Sequence, residues 1–364
     1  MIIKDVIAIL ENWAPIAYAE DFDNVGLLVG SIDTSVTNIL VTHDALEVTI
    51  QEAIDKDCNL IVCFHPIIFS GLKRITGTSY VERVVIKAIQ NNIAIYAMHT
   101  ALDNVAHGVN HGMCTALKLK DTQILIPKKQ HIFKLTTYVP SDKADMLKQA
   151  LFNAGAGQIG QYDSCSFITK GKGSFRPLET ANPTLGKKGE LHVEDEIQLH
   201  LTFEKHLEKQ LLKALFETHP YEEVAYEITA LNNVHQYVGM GMVGELTESL
   251  SEKEFLDLVK NTFSCGGIRH SKFLDKPISK VAVLGGSGAF AIDSAKKIGA
   301  QAFITADLKY HDYYKAEDDI LIADIGHFES ERFTKNLITD YLKKKIANFA
   351  VILSVEDTNP IHYI

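Results

Sequence analysis

Short apolar runs alternate with stretches of helical periodicity through the first third of the chain. Ile39-Leu-Val-Thr precedes a helical pattern over 45–56, Leu60-Ile-Val-Cys-Phe precedes one over 80–91, and Ile93-Ala-Ile-Tyr-Ala-Met precedes one over 104–117. An apolar run bounded by turn residues suits a strand covered on both faces, and its alternation with helices predicts β-α-β units around a mostly parallel sheet. The same rhythm returns after Asn232, with Val281-Ala-Val-Leu, a helical pattern over 289–298, Ala302-Phe-Ile-Thr, Ile320-Leu-Ile-Ala and a helical pattern over 330–345. Both ends of the chain therefore read as one α/β domain.

Between them the period changes. Residues 131–139 and 196–203 alternate apolar and polar positions as half-buried antiparallel strands do, and each is followed by a helical stretch, 142–154 and 206–218. A last strand over 221–230 completes the strand–helix–strands–helix–strand order of a ferredoxin-like module. Residues 170–190, rich in Gly, Lys, Pro and Ser, read as an exposed loop, and His219-Pro-Tyr-Glu-Glu as a helix stop and strand start. The predicted organisation is a discontinuous, mostly parallel-sheet α/β core, 1–126 with 232–364, carrying an inserted α+β ferredoxin-like domain over 127–231.

At roughly 100–200 residues per domain, 364 residues suit two or three domains. The apolar share of 46% and charged share of 23% are those of a folded chain. A net charge of −10 sets the surface as a whole against nucleic-acid backbones and anionic membranes, although a locally basic groove is compatible with it. The opening Met-Ile-Ile-Lys-Asp-Val carries an acid inside its apolar part, and no run reaches the length of a membrane span, so a cytoplasmic protein is expected. The five Cys form no C-x-x-C pair, and no disulfide is expected. Histidine is the unusual component, with 15 residues.

In open α/β sheets ligands bind beyond the carboxyl ends of the strands, so the residues that follow each predicted strand carry the functional information. They are Thr42, His43 and Asp44; His65; His99, Thr100 and Asp103; Thr305, Asp307 and His311; and Asp324, Gly326, His327 and Glu331. A lone histidine at a strand end is ordinarily a cap or a solvated residue, but five strand ends bearing the same classes point to a metal site. Imidazole with carboxylate suits Zn²⁺, Fe²⁺ or Mn²⁺, and the lack of a cysteine cluster argues against a structural thiolate site. His327 and Glu331 share a helix face at a spacing of four, as do His99 and Asp103. Two ions sharing a water would suit hydrolysis. Gly285, Gly286, Ser287 and Gly288 follow a strand and open a helix, a place where free N–H groups can seat a phosphate or carboxylate, or where the glycines simply make a tight turn. Thr42-His43-Asp44 and Thr305-Ala306-Asp307 both place Thr-x-Asp after a strand, a weak sign of duplication.

Six blocks together resemble one known family: Phe22-Asp-Asn-Val-Gly-Leu-Leu-Val-Gly, Phe64-His-Pro-Ile-Ile-Phe, His99-Thr-Ala-Leu-Asp, Gly285-Gly-Ser-Gly, Thr305-Ala-Asp-Leu-Lys-Tyr-His-Asp and Asp324-Ile-Gly-His-Phe-Glu-Ser-Glu. They are similar, in order, to the signature blocks of the NGG-interacting-factor-three-like family, whose members are named GTP cyclohydrolase I type 2 homologues. The middle segment is similar to the PII/CutA-like insertion of the longer bacterial members. The resemblance implies a toroidal homohexamer with two divalent ions per subunit, zinc first and iron or manganese next, held by His65, Asp103, His327 and Glu331, with Glu331 bridging. One departure stands out: the family usually has two histidines before the proline, and here the first is Phe64. That leaves one ion short of a ligand, to be replaced by a group such as His99 or by water, or leaves that ion weakly bound.

The activity so implied is metal-dependent hydrolysis of GTP or a related nucleotide, with His99 or His311 as proton carriers and Gly285, Gly286, Ser287 and Gly288 as the phosphate seat. A non-catalytic ring-shaped metal scaffold or regulatory protein is the alternative class, and a nucleic-acid-threading ring a third that the charge disfavours.

Overall fold

The apolar runs become strands of two separate sheets instead of one. The computed structural model describes residues 1–364, and the chain divides into two compact units, 1–127 with 237–364 and 128–236.

In the first unit, one sheet has the strand order Gly26–Val29, Ala94–Ala97, Leu60–Cys63, Ile39–Thr42, Val351–Leu353. Its four neighbouring strands from Ala94–Ala97 onward run parallel, and Gly26–Val29 closes one edge antiparallel. The three inner strands are buried at every position, which is why they read as continuous apolar runs. Their alternation sorts the side chains onto two cores. Leu60, Val62, Phe64, Ile39 and Val41 pack with Val6, Leu10, Ile338 and Leu342 from the helices Ile3–Glu11 and Thr334–Lys345. Leu40, Ile61, Cys63 and Ile95 pack with Ile50, Ala53, Val84 and Ala88 from Glu47–Asp55 and Tyr80–Gln90.

The second sheet has the order Arg269–His270, Leu321–Asp324, Ala302–Ala306, Ile278–Ser287, Val234–Leu250, Lys120–Lys129. Its centre is parallel, and Arg269–His270 and Val234–Leu250 join it antiparallel. Val281, Val283, Ile304 and Leu321 face Phe255, Val259 and Phe263 on one side; Ala282, Leu284, Phe303 and Ile322 face Ile292 and Ala295 on the other.

One predicted helix is shortened and another is split. The pattern over 104–117 forms the helix Val109–Ala116, preceded by a separate short helix His99–Asp103. Gly108 sits at the break because a Cβ there would lie 1.9 Å from the Leu102 carbonyl oxygen, a separation only glycine permits. The pattern over 330–345 begins earlier, as His327–Glu331 followed by Thr334–Lys345. The first break places His99 and Asp103 on their own short helix; the second does the same for His327 and Glu331.

The second unit runs strand Ile132–Pro140, helix Ala144–Asn153, strands Phe167–Phe175 and His192–Glu204, helix Glu208–Thr218 and strand Tyr226–Ala230. All its strand pairs are antiparallel, in the order Phe167–Phe175, His192–Glu204, Ile132–Pro140, Tyr226–Ala230. Leu135, Val139, Leu199 and Leu201 of the sheet pack on Leu147, Leu151, Leu211 and Leu215 of the helices. The expected loop over 170–190 is wrong in its first six residues. Residues up to Phe175 are strand, paired residue for residue from Phe167↔His200 to Phe175↔His192. This strand is exposed along most of its length and carries Lys170 and Lys172, the charged composition that an edge strand uses against unwanted pairing and that reads as loop in sequence. His219 caps the helix end as expected, with its Nε2 donating to the Tyr138 carbonyl at 2.9 Å and its Nδ1 accepting from the Tyr221 N–H at 3.1 Å. No helix of the protein is long and apolar enough to cross a membrane.

Candidate metal centre

The carboxyl ends of both sheets contribute to one cluster, so the histidines and carboxylates expected along one sheet edge come from two. Glu331, 3% exposed, stands at its middle. Its Oε2 lies 3.3 Å from His43 Nε2, 3.3 Å from His65 Nε2 and 3.2 Å from His327 Nε2. Three imidazoles thus present the same ring nitrogen to one carboxylate oxygen. His43 and His65 follow the strands Ile39–Thr42 and Leu60–Cys63 of the first sheet, and His327 and Glu331 follow Leu321–Asp324 of the second.

Carboxylates behind the rings set their direction. Asp44 Oδ1 is 2.8 Å from His65 Nδ1, Asp307 Oδ2 is 2.6 Å from His327 Nδ1, and Asp23 Oδ1 is 2.8 Å from His99 Nδ1. A carboxylate on Nδ1 fixes the tautomer with its proton there and turns Nε2 outward as a donor pair for a ligand. His99 itself takes φ +26°, and its ring centroid lies 5.3 Å from that of His65. Asp103 is buried, and its Oδ1 has no hydrogen-bond partner. Sequence reasoning did not single out the orienting role of Asp23, Asp44 and Asp307. The repeated Thr-x-Asp is the signal for Asp44 and Asp307, whereas Asp23 is 76 residues from His99 and has no local sign.

The charges follow from this crowding. Burial opposes a charge on His65, but its hydrogen bond to Asp44 and the negative charge of Glu331 3.3 Å from its Nε2 outweigh that and raise it to about 9. For His327 burial is likewise overcome by Asp307 and Glu331, and the group rises to about 11. Burial would raise Glu331, yet the close approach of the His327, His43 and His65 rings at 3.2–3.3 Å holds it well below the usual carboxylate range. Asp103 goes the other way: burial first, then the charge of Glu331, push it well up.

The donor set fits a divalent ion. At metal–ligand distances of about 2.1 Å, neighbouring ligand atoms in a tetrahedral shell are roughly 3.4 Å apart. The 3.2–3.3 Å separations around Glu331 match that. His65, His327 and Glu331 form one group whose ligand atoms lie within 4.8 Å of one another, and His43, Asp44 and His65 form another. Glu331 Oε2, Asp103 Oδ1 and both nitrogens of His43 are buried with no hydrogen-bond partner. Orphaned buried polar atoms are rare, and a cation held beside Glu331 Oε2 would give that oxygen and His43 Nε2 the partner they lack.

The structure gives the glycine segment a different task. The N–H of Gly285 donates to Asn110 Oδ1 at 3.0 Å and that of Gly286 to Ser330 Oγ at 2.9 Å, so neither is free for an anion. The helix that follows, Ile292–Lys297, comes only after a short 3-10 turn. Instead, a Cβ on Gly286, whose φ is +69°, would lie 2.6 Å from Glu331 Oε1. The segment is bare so that Glu331 can pass close to the backbone. His311 is exposed on the 3-10 helix Tyr310–Ala316, with its ring against Tyr310 and Tyr314, and is not brought to the cluster. Phe64 is fully buried in the first-sheet core, yet its ring also walls the site, with centroids 5.4 Å from His43 and 5.6 Å from His99. A cavity of about 860 Å³ is in the second unit, lined by Tyr138, Phe175, Arg176, Glu196 and Tyr221 among others and by none of the cluster residues.

Comparison with known proteins agrees with the family read from the signature blocks. The chain is 38% identical over 370 residues to a Bacillus subtilis protein named GTP cyclohydrolase 1 type 2 homolog, covering 99% of this chain and 98% of that one. A protein of the same name from Halalkalibacterium halodurans is 37% identical, with the same coverage. Among solved structures, a Bacillus cereus protein related to NIF3 superposes with a TM-score of 0.87 at 33% identity, over 100% of this chain and 99% of the other. A Staphylococcus aureus protein gives 0.79 at 28% identity, again over 100% and 99%. Residues 1–360 match the family described as Duf34/NIF3 (NGG1p interacting factor 3). The convergence of imidazoles on Glu331, the two-sheet core that builds it and this full-length similarity lead to one conclusion: the chain belongs to the Duf34/NIF3 family.

Proposed function

We propose that the protein is a divalent-metal-dependent hydrolase acting on GTP or a related nucleotide, with two ions per subunit held by the cluster around Glu331. The observation that carries this reading is the convergence of His43, His65 and His327 on one buried carboxylate oxygen. Zinc, iron or manganese bound there would acidify a water and polarise the bond to be broken. His65, His327 and Glu331 would hold the metal, with Asp103 beside them, and Asp44 and Asp307 keep the two rings aimed. His99, fixed by Asp23 and packed beside His65, is placed to carry a proton to or from substrate at the edge of the cluster. The nucleotide substrate is supported by the name of the 38%-identical relative. The family resemblance extends the proposal to a cytoplasmic homohexamer, and the strand order of residues 128–236 to a ferredoxin-like accessory domain.

The test is a screen of nucleotides, GTP first, with the zinc-, iron- or manganese-loaded protein beside a Glu331→Ala control. Turnover by the loaded wild type, abolished in the control, supports the reading. A loaded protein that turns over no nucleotide overturns the hydrolase assignment and leaves a metal-holding scaffold.

A further inference from the structure

We propose that His43 is itself a ligand of the metal centre, supplying the imidazole that the family resemblance places at position 64, and that Phe64 has become the residue that aims it. The inference rests on the metal-centre reading and goes beyond it, because neither the signature blocks nor their implied ligand set includes His43.

Position and partners carry the argument. His43 is 2% exposed, and neither of its ring nitrogens has a hydrogen-bond partner. A core histidine with a structural role pairs at least one nitrogen, as His219 does in the second unit. His43 instead directs Nε2 to within 3.3 Å of Glu331 Oε2, an oxygen that also has no hydrogen-bond partner. Its ligand atom lies within 4.8 Å of those of Asp44 and His65, a carboxylate and an imidazole with the chemistry of a cation site.

The exchange with position 64 is local. The Phe64 N–H donates to the His43 carbonyl at 3.1 Å, so the two residues are neighbours on adjacent strand ends. A donor lost from one can be returned from the other within one strand spacing, about 4.8 Å. Phe64 offers no lone pair, but its ring lies 5.4 Å from the His43 ring, and Phe328 packs edge-on from another direction at 5.1 Å. These rings hold His43 by packing, where His65 and His327 are held by a carboxylate. His99, the substitute expected from sequence, has its Nδ1 on Asp23 and its ring among Phe64, His65 and Phe69.

The experiment compares zinc stoichiometry, zinc affinity by chelator competition and the visible spectrum of the cobalt-substituted protein in wild type, His43→Leu, His43→Gln and the double variant His43→Leu/Phe64→His. Metal-free His43→Leu should melt at or above the wild-type temperature, since leucine between two phenyl rings replaces an orphaned imidazole. It should nevertheless lose one ion or bind it at least ~100-fold more weakly, and its cobalt bands should shift. The double variant should recover affinity to within roughly tenfold, because a donor returns to the neighbouring strand end. Wild-type stoichiometry, affinity and cobalt spectrum in His43→Leu would overturn the proposal. If His43→Leu does not fold, His43→Gln decides: a changed cobalt spectrum supports ligation and an unchanged one refutes it. A wild type that takes up no metal would instead sink the metal-centre reading on which this one rests.

Discussion

The two sheets bring matching acid–imidazole pairs to the site and differ in what each adds to its pair. In the first, Thr42-His43-Asp44 follows a strand and Asp44 holds Nδ1 of His65, which follows the next strand. In the second, Thr305-Ala306-Asp307 follows a strand and Asp307 holds Nδ1 of His327, which follows the next. Each pairing links parallel neighbours, so the carboxylate arrives behind the ring by strand register alone. The middle residue breaks the match. It is Ala306 in the second sheet, buried in the apolar surroundings of its strand, and His43 in the first, aimed at Glu331. A shared scaffold supplies the orienting acids; the first sheet adds a donor, and the second adds the central carboxylate.

That comparison can be broken most strongly by pH. The folded values of His65 and His327, about 9 and about 11, lie above the unfolded imidazole value of about 6.5. A raised value means that protonation favours the folded state. The stabilisation is complete below about pH 6.5 and is lost as pH rises through about 9 and then about 11. Chelator-treated protein should therefore melt at falling temperature across that range, whereas metal-loaded protein, whose ligating rings carry no proton on Nε2, should not follow it. Thermal denaturation at several pH values, with and without zinc, reads the difference directly; parallel curves would mean that the rings do not hold the ion.

A smaller effect sharpens the match between the sheets. Asp44→Asn and Asp307→Asn each remove the charge behind one ring while keeping its shape. Each should weaken zinc binding about 10–100-fold, with the fold intact. If the sheets are equivalent the two losses are similar. A loss confined to Asp307→Asn would show that His43 keeps the first-sheet site in place without Asp44.

The smallest change tests the approach of Glu331 to the backbone. Gly286→Ala puts a Cβ at φ +69° and 2.6 Å from Glu331 Oε1. The left-handed backbone costs about 1–2 kcal/mol for a residue with a side chain, and the displaced carboxylate should weaken zinc binding as well. Urea denaturation and zinc titration of the variant measure both. Undiminished affinity would show that the glycines serve only the turn.

Much of this was legible in the chain. Runs such as Leu60-Ile-Val-Cys-Phe announce strands buried on both faces, and the alternation over 131–139 announces the antiparallel unit, because burial imposes those periods directly. The spacing of His327 and Glu331 placed both on one helix face for the same local reason. Lys170 and Lys172 misled, since a charged edge strand has the composition of a loop.

The amino-acid sequence by itself thus determined the strand and helix classes, the membership of the family and the histidines and acids gathered at strand ends, all of which follow from short-range period and motif. Only the tertiary structure decided that the strands divide between two sheets, that Asp23 reaches His99, that the glycines near 286 make room for Glu331, and that His43 points where Phe64 cannot serve. These depend on the packing of segments up to hundreds of residues apart, and no local pattern records which distant side chain a ring will meet.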